Sequence, residues 1–420
     1  MSSEGSGRRV LLGGWYGAAN LGDEMIFATF VRWVREAGAE PLAISVHPAL
    51  TRREHGVAAV GYGDLPAIAE ALAGADAFVL GGGGLFQDYE PFDRASLARF
   101  PAWNVAQFAQ FARLAAELRV PVGVLAQGVG PLRGDEARAI AAEVFALARV
   151  ASVRDAGSAA LLAALGVRRD VAVAPDPAWT LVPSRIDVAT RFPDLAGRRV
   201  LAIVVRDWPF DRSWEAPFVH ALRTALQPGW ACLWLDFARL PDAACETAAN
   251  DEIAGRLALQ VPGVTHAIWR GLRLDEAAGL IAGSDALVAM RLHAALLGHA
   301  AALPVVTLEY DAKVRALGDE AQVPAASRMG LGDVAGRLPA TLAGVQRADA
   351  FRLPARTRDA LARNALVHRD LLRSLLAAER REAASALPAL LPGWRSALDG
   401  EGRARLDAAC ARARSRSPCA

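Results

Sequence analysis

The side chains best suited to chemistry in this sequence are the arginine and histidine of Arg291-Leu292-His293 and a lysine further along the chain. Lys313 is the only lysine among 47 basic residues, which indicates that a compact ammonium group is needed there, although chance survival of one lysine is the alternative. The RLH turn follows an apolar strand and begins an apolar helix, and Lys313 follows the next strand. We expect Arg291, His293 and Lys313 to bind one anion at the carboxyl edge of a parallel sheet, assisted by the positive end of the helix.

Two further arginines stand directly after predicted strands. Arg154 and Arg206 each end an apolar run and are followed by an aspartate and then a helical stretch. The rigid fork of arginine suits carboxylates and phosphates, so the pair could clamp an anion. The alternative is that each arginine simply pairs with the aspartate beside it, Asp155 or Asp207.

Three glycine-rich segments also follow predicted strands, with the sequences GGWYGAANLGDE, LGGGGLFQD and LAQGVGPL. Glycine lets the backbone approach a ligand closely, so we expect three loops that line one rim of a sheet and form a cleft. Close packing between neighbouring loops is the alternative. None of the segments has the spacing GxGxxG, so a dinucleotide site is not indicated. The candidate ligand contacts in these loops are Asn20, Gly83, Gly84 and Gln127.

Asp23 lies where the first glycine-rich segment passes into a helix, and it has two interpretations. At the helix start it would cap the first turn, a role worth about 1 kcal/mol. Beside a ligand, its carboxylate would act as a general acid or base. Among the histidines, His299 is expected to be packed within an apolar helix. The sequence indicates no partner for His47, His55, His220, His266 and His368.

Short apolar runs alternate with amphipathic helical stretches along the chain, the pattern of parallel sheets covered by helices. The predicted fold class is α/β, with two Rossmann-like domains at 1–183 and 198–346. A charged linker at 182–198 joins them, and a helical region at 356–420 follows, whose arginine-rich end is expected to be a solvated helix and tail. The predicted strands are Val10-Leu12, Pro41-Val46, Ala77-Leu80, Val122-Ala126, Ala151-Val153, Val200-Val205, Trp230-Asp236, Ala286-Ala289 and Val305-Leu308.

Composition limits the classes of protein that fit. A length of 420 residues with 53% hydrophobic and 22% charged residues indicates a globular protein of two or three domains. The net charge of +2 does not indicate nucleic-acid binding. Four cysteines without metal-ligand spacing argue against a zinc site and a disulfide scaffold. No apolar run reaches the roughly 20 residues of a membrane span, and no signal peptide is indicated, so a cytoplasmic protein is expected.

Seven ordered motifs within residues 8–325 resemble those of the polysaccharide pyruvyltransferase family: GWYGAANLGDE, VLGGGGLFQD, AQGVGPL, VRD, APDPAW, RLH and YDAKVRAL. The chain looks closest to the bacterial branch that modifies cell-wall polysaccharide. The resemblance implies the architecture of the B-type glycosyltransferases. It also implies transfer of the three-carbon unit of phosphoenolpyruvate to two hydroxyls of one sugar, with no metal, nucleotide or other cofactor.

The resemblance further implies roles for single residues. Asp23 matches the acidic position of the NLGDE motif and resembles its acid/base; we assign it as the base toward the acceptor. His293 resembles a phosphoenolpyruvate contact, and we assign it as the acid on the donor side or as a phosphate ligand. The other residues at donor positions are Arg154, Arg206, Arg291 and Lys313.

The expected partners are phosphoenolpyruvate and a saccharide acceptor, which could be lipid-linked. The arginine-rich C-terminal segment could bring the protein to the inner face of the membrane. The sequence identifies neither the acceptor sugar nor the oligomeric state. Two other functions fit it: a nucleotide-sugar-dependent glycosyltransferase of the same two-domain fold, and a non-catalytic protein that binds wall polymer, in which an acid/base at Asp23 would have no use.

Overall fold

A computed structural model of the protein describes residues 7–89, 94–238, 253–346, 351–377 and 391–416. The described chain forms two compact units. Within those ranges, the first unit contains residues 7–18, 26–177 and 365–416, and the second contains residues 19–25 and 178–364. The chain first passes fully into the second unit after Pro177, shortly before the predicted change of domain near Pro183. The described C-terminal residues from Ala365 onward belong to the first unit instead of standing apart.

The first unit is built on a parallel sheet. Its strands are β1 (Arg9–Gly13), β2 (Glu40–Ser45), β3 (Ala58–Gly61), β4 (Ala77–Phe86), β5 (Val122–Val129), β6 (Val150–Val153) and β7 (Ala172–Val173). In the described ranges these seven strands lie in the order β3-β2-β1-β4-β5-β6-β7, with all neighbours parallel. The helices along this part of the chain are α1 (Leu21–Glu36), α2 (Pro48–His55), α3 (Leu65–Gly74), α4 (Val105–Glu117), α5 (Asp135–Leu147) and α6 (Ala156–Ala164).

The central strands of the first unit are mainly apolar because both faces of the sheet are covered. In β1, the side chains of Val10, Leu11 and Leu12 are fully buried. Successive residues of a strand point to opposite faces. Leu11 accordingly packs into one hydrophobic cluster, and Val10 and Leu12 pack into another. With both faces closed, the strand ends are the parts of this sheet that remain available for ligands.

Two of the three predicted glycine loops are parts of strands. Residues 81–84 lie within β4, and residues 127–128 lie within β5, with which β4 pairs. A Cβ at Gly81 would lie 2.5 Å from the hydroxyl oxygen of Tyr16, so a larger side chain does not fit there. A Cβ at Gly82 would likewise lie 2.8 Å from Ile26, so Gly81 and Gly82 serve close packing, which was the alternative to a loop that lines a cleft. A Cβ at Gly84 would meet nothing closer than 3.7 Å, so close packing does not explain that glycine.

The second unit contains another parallel sheet. Its strands are β8 (Arg199–Val204), β9 (Trp230–Leu235), β10 (Thr265–Trp269), β11 (Ala286–Ala289), β12 (Val305–Glu309) and β13 (Arg328–Gly330). As far as the structure describes the chain, their order is β10-β9-β8-β11-β12-β13. The helices here are α7 (Val188–Arg191), α8 (Glu215–Ala225), α9 (Ile253–Ala258), α10 (Leu274–Gly283), α11 (Leu292–Ala300), α12 (Ala312–Glu320) and α13 (Val334–Val345). The predicted α/β class with two Rossmann-like parallel sheets is confirmed.

The predicted linker at 182–198 is an ordered part of the second unit. It contains α7, and the backbone nitrogen of Ile186 donates a hydrogen bond to the carbonyl of Gly279 in α10 at 3.0 Å. A Cβ at Gly283 would overlap the carbonyl of Ile186, so glycine is required where the segment crosses the helix. Low periodicity therefore marked an irregular packed segment and not a free connection.

Three helices end the described chain: α14 (Ala355–Leu376), α15 (Leu391–Ser396) and α16 (Gly400–Ser415). Helix α16 packs against α3 and buries Leu406 and Ala409. Arg405 binds Glu70 through two hydrogen bonds of 2.9 and 3.0 Å. These hydrogen bonds are the largest influence on the pKa of Glu70, and they lower it. The prediction of a solvated helix is wrong. Arginines and small residues alternate in this segment, so the sequence did not indicate that the small residues form a buried face. No helix among the described residues combines the length and apolar character needed to cross a membrane.

Candidate anion site

Arg206 lies among aromatic rings at the carboxyl end of β8 in the second unit. Its guanidinium carbon lies 5.1 Å from the ring centroid of Trp208 and 5.2 Å from that of Tyr310. Its Nη1 donates a hydrogen bond to the hydroxyl oxygen of Tyr310 at 2.9 Å. Asp207, the neighbour considered as its partner, forms an ion pair with Arg212 at 2.8 Å. The two rings contact the guanidinium group of Arg206 and hold it at the carboxyl end of β8.

Lys313 reaches the same tyrosine from the start of α12. Its ammonium nitrogen lies 5.9 Å from the ring centroid of Tyr310 and 3.7 Å from Oδ2 of Asp311. Asp311 also caps α12, because its Oδ1 accepts a hydrogen bond from the backbone nitrogen of Lys313 at 3.0 Å. The cap fixes the helix start, and it thereby fixes the point from which the lysine side chain extends.

The pKa of Tyr310 reports the electrostatics of this region. Burial raises the pKa of the phenol, but the positive charges of Lys313, Arg206 and Arg291 together outweigh burial and the negative charge of Asp311. The net shift is downward, so the cations favour negative charge at the phenol oxygen. We call Arg206, Arg291 and Lys313 around Tyr310 the cation cluster. The three residues predicted from strand ends of this sheet are thus brought together.

The RLH turn contacts the start of α1. Arg291 immediately precedes α11, and His293 is the second residue of that helix. A Cβ at Gly22 would lie only 2.4 Å from Nδ1 of His293, so the imidazole occupies the space that a side chain at position 22 would need. Residues 19–25 are held in the second unit, where the backbone nitrogen of Leu21 donates to the carbonyl of Phe237 at 2.9 Å.

Asn20, and not Asp23, occupies the cap position of α1. The helix begins at Leu21, and Oδ1 of Asn20 accepts a hydrogen bond from the backbone nitrogen of Gly22 at 3.2 Å. Asp23 is therefore the third helical residue, in the first turn of α1 and not at the cap position. It is partly exposed and follows Gly22, the residue that touches His293. The two predicted acid/base residues thus stand on neighbouring helix starts, and their chemical roles remain predictions.

Arg154 belongs to the first unit and lies in a buried ion pair. Its Nη1 is 3.1 Å from Oδ2 of Asp176, and the side chains are 6% and 2% exposed. Asp155, the neighbour considered as its partner, instead caps α6 and binds Ser158. A Cβ at Gly128 would lie 2.7 Å from the guanidinium, so this glycine makes room for the arginine. Arg154 thus has a buried counter-charge, and its predicted role in donor binding remains a prediction.

His368 supports this ion pair from α14, although the sequence indicated no partner for it. Its Nε2 lies 2.9 Å from the carbonyl oxygen of Pro175, so Nε2 must carry the proton and donate it. Its Nδ1 then accepts from the hydroxyl of Ser152 at 2.8 Å, while Ser152 accepts from the backbone nitrogen of Ala126 at 3.0 Å. Burial is the largest influence on the pKa of His368 and lowers it. A neutral histidine therefore fixes the segment that ends in Asp176.

The remaining predicted contacts differ in their surroundings. Gly83 has a φ of +121°, which a larger residue would adopt only under strain. A Cβ at Gly84 would lie 4.0 Å from Nη2 of Arg154, so the backbone there faces the ion pair. Gln127 is fully buried, and its Nε2 donates to the carbonyl of Leu80 at 3.0 Å, so its amide stabilises the sheet interior.

His299 is fully buried in α11, as expected for a packed histidine. Burial, with a smaller contribution from Arg358, lowers the pKa of His299 to about 4. In the part of the chain that the structure describes, no group of three or more His, Cys, Asp or Glu could hold a metal ion. The expectation that no cofactor is needed remains a prediction.

The cation cluster is suited to an anion that carries more than one negatively charged group. Its guanidinium groups can each bind two oxygens of a carboxylate or phosphate, and its ammonium can bind one oxygen as a point charge. The starts of α11 and α12 add the positive ends of two helix dipoles to the same unit. Asp23 and His293, whose side chains are able to transfer protons, stand in first turns of helices in the same unit, and their part in one site with the cation cluster remains a prediction.

Comparison with known proteins gives a family and a fold. A model of the family "Polysaccharide pyruvyl transferase" matches residues 20–312. HepE (Alr3699) from Anabaena, in complex with UDP and glucose, is 12% identical, with a TM-score of 0.57 over 88% of this chain and 99% of that chain. A putative UDP-N-acetylglucosamine 2-epimerase from Listeria monocytogenes is 9% identical, with a TM-score of 0.60 over 91% of this chain and 100% of that chain.

An α,α-trehalose 6-phosphate synthase from Burkholderia multivorans is 15% identical, with a TM-score of 0.53 over 88% of this chain and 98% of that chain. No curated protein sequence matches the chain. At such identities the similarity establishes the fold alone. These neighbours confirm the predicted resemblance to the B-type glycosyltransferase architecture.

Proposed function

The chain belongs to the polysaccharide pyruvyl transferase family, and on this premise we propose that it transfers pyruvyl from phosphoenolpyruvate to two hydroxyls of one sugar. The product is a cyclic ketal, and phosphate is released. We extend the proposal to a sugar of cell-wall polysaccharide, because the motifs look closest to that branch of the family. A lipid-linked acceptor and contact with a membrane surface belong to the same proposal.

The observation that carries the proposal is the cation cluster around Tyr310. Phosphoenolpyruvate joins a phosphate and a carboxylate through one carbon atom, so it presents two anionic groups at short separation. Arg206, Arg291 and Lys313 lower the pKa of a single phenol against the effect of burial, which supports their action on a common point. A neutral sugar carries no charge that these three cations could neutralise, so the cluster favours an anionic ligand over a neutral sugar.

The reaction can be written so that every atom is accounted for. A proton is added to the methylene carbon of phosphoenolpyruvate, which becomes a methyl group, and C2 gains oxocarbenium character. One sugar hydroxyl forms a C–O bond to C2 and loses its proton. The C2–O bond to phosphate breaks, and phosphate leaves. The second hydroxyl then forms the other C–O bond to C2, loses its proton and closes the ketal. Two protons are released by the two hydroxyls; one is added to the methyl group and the other is taken up by the leaving phosphate.

Two residues at adjoining helix starts are proposed to move these protons. Asp23 takes the proton of the attacking hydroxyl, and His293 donates a proton on the donor side or binds the leaving phosphate. The support for this pairing is the contact between the imidazole and Gly22, the residue before Asp23. Arg206, Arg291 and Lys313 hold the donor and stabilise the negative charge that develops on phosphate as the C2–O bond breaks.

Isothermal titration with phosphoenolpyruvate tests the donor. We expect binding by the wild-type chain, and losses of roughly 1.5 to 3 kcal/mol in Lys313→Ala and Arg291→Ala, because each removes a charge-assisted contact. Arg337→Ala on α13 is the matched control, since it removes an exposed arginine of the same unit, 3.8 Å from Asp333. Unchanged affinity in both cluster variants, or binding of nucleotide sugars with none of phosphoenolpyruvate, would contradict the proposal.

A further inference from the structure

An aromatic surface in the first unit is not used by the proposed donor chemistry. The indole of Trp103 is 49% exposed and stacks on Tyr62, with ring centroids 5.2 Å apart and planes 25° apart. Trp15 meets the same tyrosine edge-on, at 5.7 Å and 86°. Tyr62 itself is buried, and it also contacts Phe111 in the core. We call Trp15, Tyr62 and Trp103 the aromatic platform.

The position of Trp103 is set by hydrogen bonds to the backbone on both sides of it. Oε1 of the fully buried Gln107 accepts hydrogen bonds from the backbone nitrogens of Ala102 at 2.7 Å and Trp103 at 3.2 Å. The next residue, Asn104, caps α4 and so fixes the other side of the turn. Trp103 has a φ of +54°, a conformation that is unfavourable for a large side chain. These contacts therefore hold the indole of Trp103 half-exposed at the surface. The exposed half of the ring contributes nothing to the stability of the fold, because it remains in contact with water.

The platform lies at the edge of the sheet where ligands bind in this class of fold. Trp15 is in the loop after β1, and Tyr62 directly follows β3, so both stand at carboxyl ends of strands. Arg154 stands at the carboxyl end of β6 in the same sheet. Strands lie about 4.8 Å apart, so the three spacings from β1 to β6 correspond to roughly 14 Å. An extended ligand, and not a three-carbon acid, is the kind that could use such an edge.

We propose that the aromatic platform binds a sugar ring of the saccharide acceptor by stacking on Trp103. One face of a pyranose presents C–H groups with slight positive charge, which suit the negative face of an indole, while the hydroxyls around the ring stay in water. None of the three platform residues carries a charge, in contrast to the cation cluster. This inference rests on the proposed function, because it takes the acceptor to be a saccharide.

Steady-state phosphate release with a panel of oligosaccharides tests the platform through Trp103→Ala. The KM for the saccharide should rise about tenfold, and the KM for phosphoenolpyruvate should stay unchanged. The melting temperature should fall only slightly, because the buried half of the indole also packs on Tyr62. Trp103→Phe retains a flat ring and should restore most of the affinity. Leu259→Ala is the matched control, because Leu259 is also an exposed hydrophobic residue, 87% exposed, and lies in the second unit. An unchanged saccharide KM in Trp103→Ala would overturn the inference.

A binding measurement separates this inference from the donor chemistry. Fluorescently labelled wild-type and Trp103→Ala chains are applied to an array of immobilised bacterial saccharides without phosphoenolpyruvate. Saccharide binding that is lost in Trp103→Ala supports the platform even where no pyruvyl transfer is found. Equal binding by both chains, or no saccharide binding by the wild-type chain, overturns it. Binding of uridine nucleotides in place of saccharides, dependent on Trp103, also overturns it, since stacked aromatic rings can hold a nucleobase.

Discussion

Replacement of Gly22 by alanine should displace His293 without unfolding the protein. A Cβ at position 22 would lie 2.4 Å from Nδ1 of His293. Atoms in ordinary contact stand about 3.5 Å apart, so the imidazole must move by roughly 1 Å. Displacement of a catalytic group by about 1 Å can reduce a rate about 10²-fold. We therefore expect the kcat of Gly22→Ala to fall by about two orders of magnitude.

The fold should tolerate this change because Gly22 is in the first turn of α1. Alanine is preferred to glycine in a helix by up to about 1 kcal/mol, which offsets part of the cost of moving the imidazole. Gly336→Ala is the matched control. Gly336 also lies in the first turn of a helix, α13, and a Cβ there meets nothing within 4 Å. Its kcat should equal that of the wild type.

Phosphate release and thermal melting, measured on both glycine variants, provide the assay. In a His293→Ala background, Gly22→Ala should have no further effect on kcat, because the group through which it acts is gone. A Gly22→Ala enzyme with normal kcat and a normal melting temperature would refute the reasoning. So would an additional loss of kcat in the double variant.

Three other changes give separate outcomes. Lys313→Arg should keep the fold and lose most phosphate-release activity, because a planar fork cannot take the place of a compact ammonium; full activity would make the lone lysine a chance survivor. Asp23→Asn should melt almost normally, since Asn20 caps the helix, and it should still bind phosphoenolpyruvate in titration. Its turnover should be roughly 10²-fold slower, because the amide cannot accept a proton, and ketal formation at the normal rate would show that Asp23 is not the base. His299 has a pKa of about 4 in the folded chain, against an ordinary value of 6.5, so the folded state favours the neutral imidazole. The free energy of unfolding should therefore be unaffected by this group above about pH 6.5 and should decrease by roughly 3 kcal/mol as the pH falls toward 4. Urea unfolding of His299→Leu between these pH values should lack that loss, and an acid sensitivity equal to that of the wild type would contradict it.

The fold could be predicted to the extent that its strands are long and buried. Every predicted strand is present, because continuous apolar runs mark strands covered on both faces. The strands β3, β7, β10 and β13 were missed. The strand β7 has two residues, and β3 and most of β10 are partly exposed, so neither length nor hydrophobicity distinguishes them from loops.

The candidate site was predicted where its residues follow strands of one sheet. Arg206, Arg291 and Lys313 could be placed together because the carboxyl ends of parallel strands share an edge. The ion pair of Arg154 with Asp176, and its support by His368, depend on contacts between residues distant in sequence, which no local pattern encodes.

The glycines near these sites show the same limit. Their clustering indicated close approach of the backbone, but the sequence could not distinguish a ligand from a packed side chain. At Gly22 the neighbour is the imidazole of His293, and at Gly128 it is the guanidinium of Arg154. Trp103 gave no signal at all, because its exposure and its positive φ are set by Gln107 in the folded structure.

The most direct test of the proposed chemistry follows the carbon atoms of the donor. Phosphoenolpyruvate labelled with ¹³C at C2 and C3 is incubated with the wild-type chain and a saccharide, and the saccharide fraction is examined by NMR. We predict that C2 appears there as a ketal carbon bonded to two sugar oxygens, that C3 appears as a methyl group, and that one phosphate is released per ketal. Label that remains in phosphoenolpyruvate or ends in free pyruvate, with the saccharide unlabelled across the panel, would contradict the account.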